Sequence, residues 1–351
     1  MRIKIYTKEY TPLTTLFQSR SASDYNTLSY RETLNQVGDA SFTMRLDSEK
    51  ATEENLKHYN IVEITEEDDT PRWVGVIVYK RILFNTVNVT CYSLMHLLTK
   101  RLTPDADAHN DTAGAIATDL LSTTNGLLDT EIVAGTLNDP TAVQITFNRA
   151  TVYEALKSLS EASGGQFRIN PDRTLDFKAS IGTDKSASVI LQYRIELIAA
   201  SNILTFQVED DAKSIVTRTY GFSDPLSSDE EDLTLSGEYG LLEQYKNFRE
   251  INDQPTLDGS TAENNKGPAL SPLLNLSPDV EDTFDVGDTV KVILRNRLVE
   301  INDNYQVTEK TVKIQGGNQR EISLRVISNP PDFFSQIKDI KSSVDLLVRE
   351  V

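Results

Sequence analysis

One short stretch of the chain carries four side chains that could ligate a metal ion: Asp105, Asp107, His109 and Asp111. An EF-hand calcium loop that starts at Asp105 would need glycine at its sixth position and glutamate at its twelfth. Those two positions hold Asn110 and Ile116. The stretch therefore fails as a calcium loop, and it predicts a solvated loop that caps the helix after it.

The other potential nucleophiles and bases are scattered. His58, His96 and His109 occur without an H-E-x-x-H sequence, so a zinc peptidase has no visible basis. The only cysteine, Cys91, excludes an internal disulfide. It lies in the apolar segment VNVTCYSLMHLL, which predicts a buried structural thiol, because free cysteine packs as a small hydrophobic side chain. The sequence has no G-x-S-x-G elbow and no phosphate-binding glycine loop.

Carboxylates are concentrated in three runs, at residues 66–69, 209–211 and 229–232. A glycosidase needs two carboxylates across a sugar cleft, one of them in an apolar pocket that raises its pKa. These runs are surrounded by polar residues, and we expect them to be loops on solvated faces. The sequence therefore predicts a protein that is not an enzyme and that has no cofactor or metal.

The elements around these residues are mostly strands, because short runs alternate apolar and polar side chains. Residues 1–103 predict a first antiparallel β-barrel of five or six strands, followed by a short helix in SLMHLLTKRL. Residues 104–185 predict an α/β insert. Residues 186–330 predict a second β-barrel with a polar helical insertion, and residues 331–351 a coiled-coil-like helix. The expected fold class is β-rich α+β, with two small barrels, the insert and a C-terminal helix.

Several local signals fix the expected boundaries of these elements. Thr112 is an expected N-cap, and Gly126 is expected just past the end of the helix it begins. The segment ATVYEALKSLSEASGG predicts an amphipathic helix that stops at Gly164 and Gly165. In the last segment we expect four strands, with turns at residues 286–288, 302–304 and 316–317.

The net charge and the hydropathy exclude two classes of protein. The formal net charge is −18, which argues against a protein that grips nucleic acid through lysine and arginine. An acidic wall remains compatible with DNA that slides past without sticking. No apolar run is long enough for a membrane helix, and the start MRIKIYTKEY lacks a signal-peptide core. We therefore expect synthesis in the cytoplasm of the host cell and no stable membrane insertion.

Four motifs, in sequence order, resemble segments of bacteriophage tail hub proteins. LSYRETLNQVGDASFTMRLD resembles the opening hairpin, and the WVGVI segment stands where that family has a G-x-I strand. VNVTCYSLMHLLTKRL and TVYEALKSLSEASGGQFRINPDRTLDF are similar to two later segments. DVGDTV resembles the family's barrel strand with its Gly-Asp turn. The matches span roughly residues 1–330.

This resemblance implies a structural virion protein at the tail tip or baseplate. Such hubs are trimers, in which two barrels per chain make a pseudo-sixfold ring that adapts threefold to sixfold symmetry. The implied partners are other copies of the chain, the distal tail ring protein, the tape-measure protein and receptor-binding or tip proteins. DNA would transit without specific binding. Many long family members carry a lytic domain after the hub, and the expected form here is the short one without it.

The C-terminal segment FFSQIKDIKSSVDLLVREV has an apolar heptad seam: Phe333, Ile337, Ile340, Val344, Leu347 and Val351. Isoleucine at both core positions of a heptad shifts the preference toward trimers. The seam covers less than three heptads, which is too short for a stable isolated helix. We therefore expect it to join three C-terminal segments that the ring has already brought together. The alternative is an amphipathic helix folded back onto its own barrel.

Three other functions stay open at this stage. A tail peptidase or cell-wall lysin would need catalytic motifs that the sequence lacks. A host-surface adhesin would cluster exposed aromatic side chains, and Tyr239, Tyr245 and Phe248 are the candidates, although helix packing explains them more simply. A secretion-system spike shares the barrel pair, and it would normally add a longer β-spike after the second barrel.

Overall fold

The computed structural model describes residues 1–18, 23–194, 201–248, 251–267, 269–297, 300–315 and 319–327. Within these ranges the chain is β-rich, with 21 strands and five α-helices. No described helix combines the length and the apolar character needed to cross a bilayer. The expected helix at residues 331–351, with its six seam residues, lies outside the described residues.

The first half of the structure contains seven strands: β1 Arg2–Tyr6, β2 Pro12–Phe17, β3 Thr27–Thr33, β4 Asp39–Arg45, β5 Ile61–Thr65, β6 Pro71–Ile82 and β7 Thr86–Ser93. The sequence predicted five or six. Alternation decides which face is buried, as in β4, where Ala40, Phe42 and Met44 point into the core. Helix α1 is shorter than predicted, because it covers only Met95–Leu98.

The insert contains seven elements: β8 Asp107–Thr112, α2 Ala113–Leu127, β9 Val133–Leu137, β10 Ala142–Phe147, α3 Val152–Ser163, β11 Gln166–Ile169 and β12 Thr174–Lys178. Apolar side chains of α2 and α3 pack in one cluster with Val74 and Val76 of β6. The predicted loop at residues 105–111 is wrong, because residues 107–112 pair with β10 as a strand. Gly126 lies inside α2 rather than past its end, and no neighbouring atom lies where a side chain would stand there.

The second half contains the remaining elements: β13 Ile190–Arg194, β14 Ile203–Asp211, β15 Arg218–Ser223, β16 Leu226–Glu231, α4 Leu233–Tyr239, β17 Glu243–Asn247, α5 Gln254–Ala262, β18 Ala269–Leu276, β19 Thr289–Arg295, β20 Glu300–Gln315 and β21 Gln319–Ile327. A 3₁₀ helix at Pro278–Thr283 connects β18 to β19. Strands β16, β15 and β17 form a small sheet of their own, outside the predicted second barrel.

Four expectations for the second half are wrong. The acidic run at residues 209–211 is the end of strand β14, where its backbone pairs with residues 269–271 of β18. The acidic run at residues 229–231 belongs to β16, where Arg218 of the neighbouring strand pairs with Asp229 and offsets its charge. The turn expected at residues 302–304 lies within β20, because those residues pair with β19. The last segment therefore has three strands instead of four. Pairing with a neighbouring strand outweighs the turn preference of Asn and Asp here.

The two halves belong to one sheet of 13 strands among the described residues. The central path of this sheet runs β14-β18-β21-β20-β3-β4-β7-β6-β5-β1-β2, and β13 and β19 branch from β20. Strand β20 connects the halves, because its Glu309–Ile314 segment pairs antiparallel with Leu28–Thr33 of β3. The strand sets that the sequence predicted as separate barrels are therefore continuous with each other.

Each half has its own apolar core. The first is built from β1 to β7 and includes Phe42, Trp73 and Cys91, together with Val312 and Ile314 from β20. The second is built from β13, β14 and β18 to β21. The two cores meet at β20, since its Val312 and Ile314 contribute to the first core and its Val307 contributes to the second.

Helix α3 ends at Gly164, as the sequence predicts, and it begins after an N-cap at Thr151. The Thr151 Oγ1 accepts a hydrogen bond from the Glu154 backbone N–H at 3.1 Å, and Gly164 ends the helix with a φ of 71°. Replacing an N-cap threonine with alanine removes the partner of one backbone N–H. We expect Thr151→Ala to lower the free energy of unfolding by about 1 kcal/mol in urea titrations.

The matched control is Thr112→Ala at the N-cap of α2. The Thr112 Oγ1 accepts from the Ala115 N–H at 3.4 Å, a longer and weaker bond. We expect a smaller loss there. A larger loss for Thr112→Ala than for Thr151→Ala would contradict the assignment.

Candidate functional site

The first half, the insert and the second half meet around a cleft of about 210 Å³. We call this region the junction. Four cations line the cleft: Arg31, Arg72, Arg168 and Lys310. Glu32, Trp73 and Asp285 lie among them, and burial raises the pKa of Glu32 despite the attraction of Lys310. The Trp73 indole N–H has no acceptor in the part of the chain that the structure describes.

Two glycines of the opening motifs lie beside Trp73, where the strands approach closely. A Cβ at Gly38 would overlap the Arg31 carbonyl oxygen, and a Cβ at Gly75 would overlap that of Tyr92. The Gly38 N–H also donates to Ser93 Oγ at 3.0 Å. These positions exclude side chains for steric reasons. The lack of a side chain at these two glycines therefore allows the backbones of β3, β4, β6 and β7 to approach closely at the wall of the cleft.

The Gly-Asp turn before β19 anchors the insert to the second half. Gly287 has a φ of 99° and lies against Gly182, whose Cβ would overlap the Gly287 carbonyl. The Asp288 carboxylate accepts from the Thr183 N–H at 2.8 Å and from the Asp285 N–H at 2.9 Å. It also pairs with Lys185 Nζ at 2.7 Å. Burial alone would raise the pKa of Asp288, but these donors outweigh it and lower the pKa.

A buried pair of glutamines adds a second connection between the insert and the second half. Gln166 Nε2 donates to Gln306 Oε1 at 2.9 Å, and Gln306 Nε2 reaches the Gly287 carbonyl at 2.9 Å. The Gln166 Oε1 accepts from the Ile181 N–H at 2.9 Å. Because both side chains are almost fully buried, each hydrogen bond avoids a costly unpaired polar group.

Ion pairs connect the two halves directly. Arg320 of β21 pairs with Glu66 and with Glu281, at 2.7 Å in each case. Glu66 also pairs with Arg72, whose Nε lies 3.1 Å from Glu66 Oε1. The Nη2 of Arg72 in turn lies 2.6 Å from Asp282 Oδ1. Burial alone would lower the pKa of Arg320, but its bonds to Glu66 and Glu281 raise it well above its ordinary value. Glu66 is thus a half-buried partner in this cluster, whereas the sequence predicted a solvated loop residue.

Two further groups surround Glu281, the most buried carboxylate of the cluster, whose side chain is 3% exposed. The Tyr30 hydroxyl lies 3.4 Å from Glu281 Oε1, and Lys310 Nζ donates to the Glu281 carbonyl oxygen at 3.1 Å. Burial raises the pKa of Tyr30. The ion cluster at the junction comprises six side chains: Glu66, Arg72, Glu281, Asp282, Lys310 and Arg320.

The four side chains first considered as metal ligands do not converge. His109 Nε2 lies 3.2 Å from Asp107 Oδ2, and its ring packs near Phe147 with centroids 5.7 Å apart. Asp105 instead pairs with Arg149 on the surface, and Asp111 accepts from the Thr112 N–H. In the described ranges no three His, Cys, Asp or Glu side chains group closely enough to hold a metal ion.

The other candidates from the sequence are also dispersed. Cys91 is fully buried in the first core, and burial raises the pKa of its thiol. The His96 ring packs at a tilt against that of Tyr92, with centroids 5.1 Å apart, and burial lowers the pKa of His96. Of the three aromatic candidates, Tyr245 is exposed on β17, Phe248 is buried in a small core, and Tyr239 is the last residue of α4.

Sequence reasoning missed the ion cluster and the glutamine pair. One signal was available at Lys310, which shares the alternation of the buried Val312 and Ile314 along β20. A lysine on the buried face of a strand indicates a partner. Glu281 and Glu66 gave no such signal, because each lies in a polar connecting segment whose burial depends on the other half of the chain.

No family model matches the sequence, and no curated protein matches it. Solved structures do match the fold. The tail protein from Neisseria meningitidis aligns with a TM-score of 0.67 at 14% identity, over 94% of this chain and 98% of that chain. Prophage tail protein gp18 from Listeria monocytogenes aligns with a TM-score of 0.61 at 12% identity, over 98% of this chain and 100% of that chain.

A third match comes from a secretion machine. It is a component of the E. coli type VI secretion system, described as structurally similar to the T4 bacteriophage tail proteins gp27 and gp5. It aligns with a TM-score of 0.54 at 12% identity, over 87% of this chain and 74% of that chain. The tail-hub resemblance of the sequence is thereby confirmed at the level of the fold: this chain has the fold of phage tail proteins and of a secretion component similar to them.

Proposed function

We propose that the chain is a structural protein of a phage virion, a trimeric hub at the tail tip or baseplate. In this role it caps or lines the distal end of the tail tube. It docks to the distal tail ring protein, contacts the tape-measure protein, anchors receptor-binding or tip proteins, and opens for DNA passage. The proposal includes the division of the chain into four segments, with boundaries after residues 103, 185 and 330: a first hub barrel, an insert, a second hub barrel and a C-terminal helix.

One observation carries the proposal. The fold matches the Neisseria tail protein and the Listeria prophage tail protein over nearly the whole length of both chains, so the likeness covers both halves and the insert. The continuity of the halves through β20 and β3 supports it as well, because each chain then contributes two joined units. Three such chains would place six units in a ring, which is how a threefold hub would meet sixfold tail rings.

The mass of the purified protein in solution tests this proposal. We expect light scattering to give three times the 39.2 kDa of one chain. A variant truncated after Pro331 should still be a trimer, with three times the mass of its shorter chain, because the sheet-forming residues hold the ring and the seam only joins the C-termini. If truncation abolishes the trimer, the seam residues would instead provide the main contact between the chains. A monomer at every concentration would contradict self-assembly of the hub.

A non-enzymatic role is part of the same proposal, with a lysin as its competitor. A zymogram on host cell wall should show no clearing at the mass of this protein. A spike of a secretion system is the second candidate, and the match to the type VI component favours it. Immunogold labelling of virions discriminates the two, because a hub labels one end of the tail.

A further inference from the structure

The hairpin of β6 and β7 exposes an apolar tip. Phe84 is 99% exposed and Ile82 is 69% exposed, with Leu83 between them. Arg81 stands beside them, and no carboxylate pairs with it in the part of the chain that the structure describes. Lys80 pairs with Glu53 at 3.1 Å. The hairpin tip, residues 79–85, therefore combines apolar anchors with positive charge and contains no acidic residue.

The small sheet of β16, β15 and β17 has the opposite character. Helix α5 covers its inner face, where Leu257 and Thr261 are fully buried. Its outer face carries Tyr245 beside Tyr220, which are Cα partners across β15 and β17. Tyr245 is 67% exposed. We call this surface, with the adjoining exposed Leu233, the acidic sheet face.

The outer face of this sheet carries more acidic than basic groups. The strand register places Asp229 and Glu231 of β16 and Glu243 of β17 on the same face as Tyr220 and Tyr245. Arg218 stands on that face as well, where it pairs with Asp229 and lies 4.0 Å from Glu231, so three carboxylates share one cation. An exposed aromatic and aliphatic patch with an acidic surround is typical of an interaction surface for a partner that is apolar and basic. The hairpin tip has that chemistry.

We infer that the hairpin tip of one chain docks on the acidic sheet face of a second copy. Both surfaces are exposed within a single chain, so they do not contact each other intramolecularly. A contact between two different surfaces of identical chains is head-to-tail, and it closes into a ring when the rotation allows. The inference rests on the ring of the proposed function and names the surfaces that close it. With a net charge of −18, two copies repel overall, and a basic tip that faces an acidic surface offsets part of this repulsion.

The test uses Phe84→Ser on the tip and Tyr245→Ser on the acidic sheet face. Each full-length variant should fall from the mass of the assembly to that of one chain in light scattering. Mixed in equal amounts, they should form dimers and nothing larger. In such a dimer, the intact tip of the Tyr245→Ser chain binds the intact face of the Phe84→Ser chain. The other tip and the other face each carry a substitution, so no third chain can bind. Raising the salt concentration should dissociate these dimers, because screening weakens the charged part of the contact.

Leu127→Ser is the matched control, since it removes an exposed leucine from the end of α2, outside both surfaces. It should keep the mass of the wild type. If Phe84→Ser and Tyr245→Ser also keep that mass, the inference is wrong and the trimeric hub survives. If both become monomers but the mixture gives no dimer, the surfaces do not meet each other and the inference is again wrong. A monomeric wild type would overturn the ring itself.

Discussion

The Arg320→Met variant should lose about 3–5 kcal/mol of unfolding free energy, the range seen when one partner of a buried ion pair is removed. Methionine keeps an unbranched apolar stem but removes the cation that lies 2.7 Å from both Glu66 and Glu281. Glu281 is 3% exposed, so its carboxylate would stay in the junction without its closest cation. Urea denaturation at neutral pH measures the loss.

The control for Arg320 is Arg295→Met. Arg295 pairs with Glu300 at 2.6 Å, but both side chains are more than half exposed. Exposed pairs contribute about 0–1 kcal/mol, so this variant should change stability little. Combining Arg320→Met with Glu281→Met should recover part of the loss, because the buried charge is removed together with its partner. Equal losses for Arg320→Met and Arg295→Met would show that the cluster is not stabilising.

The Asp288→Asn variant should lose about 2–4 kcal/mol, because unpaired buried donors cost about 1–3 kcal/mol each. An asparagine oxygen can still accept from the Thr183 N–H. Its amide group would then face two other donors, the Asp285 N–H and the Lys185 ammonium. The Gly-Asp turn would lose its connection to the insert, and urea titration would report the loss.

The pH dependence of this loss follows from the direction of the pKa shift. The pKa of Asp288 is lower in the folded protein than in the unfolded chain, because the donors around it outweigh burial. Its contribution is therefore complete above the unfolded value of about 3.9, and it is lost as the pH falls through the folded pKa. The difference between wild type and Asp288→Asn should be constant from pH 7 to about pH 5 and shrink below about pH 4.

Asp184→Asn is the control, because Asp184 is an exposed neighbour whose carboxylate accepts from Ser186, including its N–H at 2.9 Å. It should leave the stability near neutral pH almost unchanged. A difference for Asp288→Asn that persists undiminished at low pH would indicate a steric effect of the amide rather than the loss of the charged acceptor.

Local elements of this fold were predictable from the sequence. The Thr112 cap, the Gly164 stop and most strands follow from signals a few residues apart. The acidic strand β16 was missed because the charge of its residues is offset by Arg218 on a neighbouring strand. The pairing of β20 with β3 was also missed. Nothing in either strand reveals a partner 278 residues away, the separation between Arg31 and Glu309.

The junction was predictable only where the backbone itself is constrained. The motif glycines Gly38, Gly75 and Gly287 were identified from the sequence, and each now has a steric reason. The side chains that hold the halves together, such as Glu66, Glu281 and Arg320, were not. Their roles arise from long-range contacts, and as isolated residues they are indistinguishable from ordinary surface charges.

The long separation between β3 and β20 has a consequence for synthesis on the ribosome. At roughly 5–20 residues per second, about 14–56 s pass between the synthesis of β3 and that of its partner segment in β20. Until then, the edge of β3 that faces away from β4 has no neighbour, and Val312 and Ile314 are missing from the first core. A strand edge left open in this way is a template for aggregation. Nascent chains that stop before residue 309 should therefore depend on chaperones, and full-length chains should be released from them.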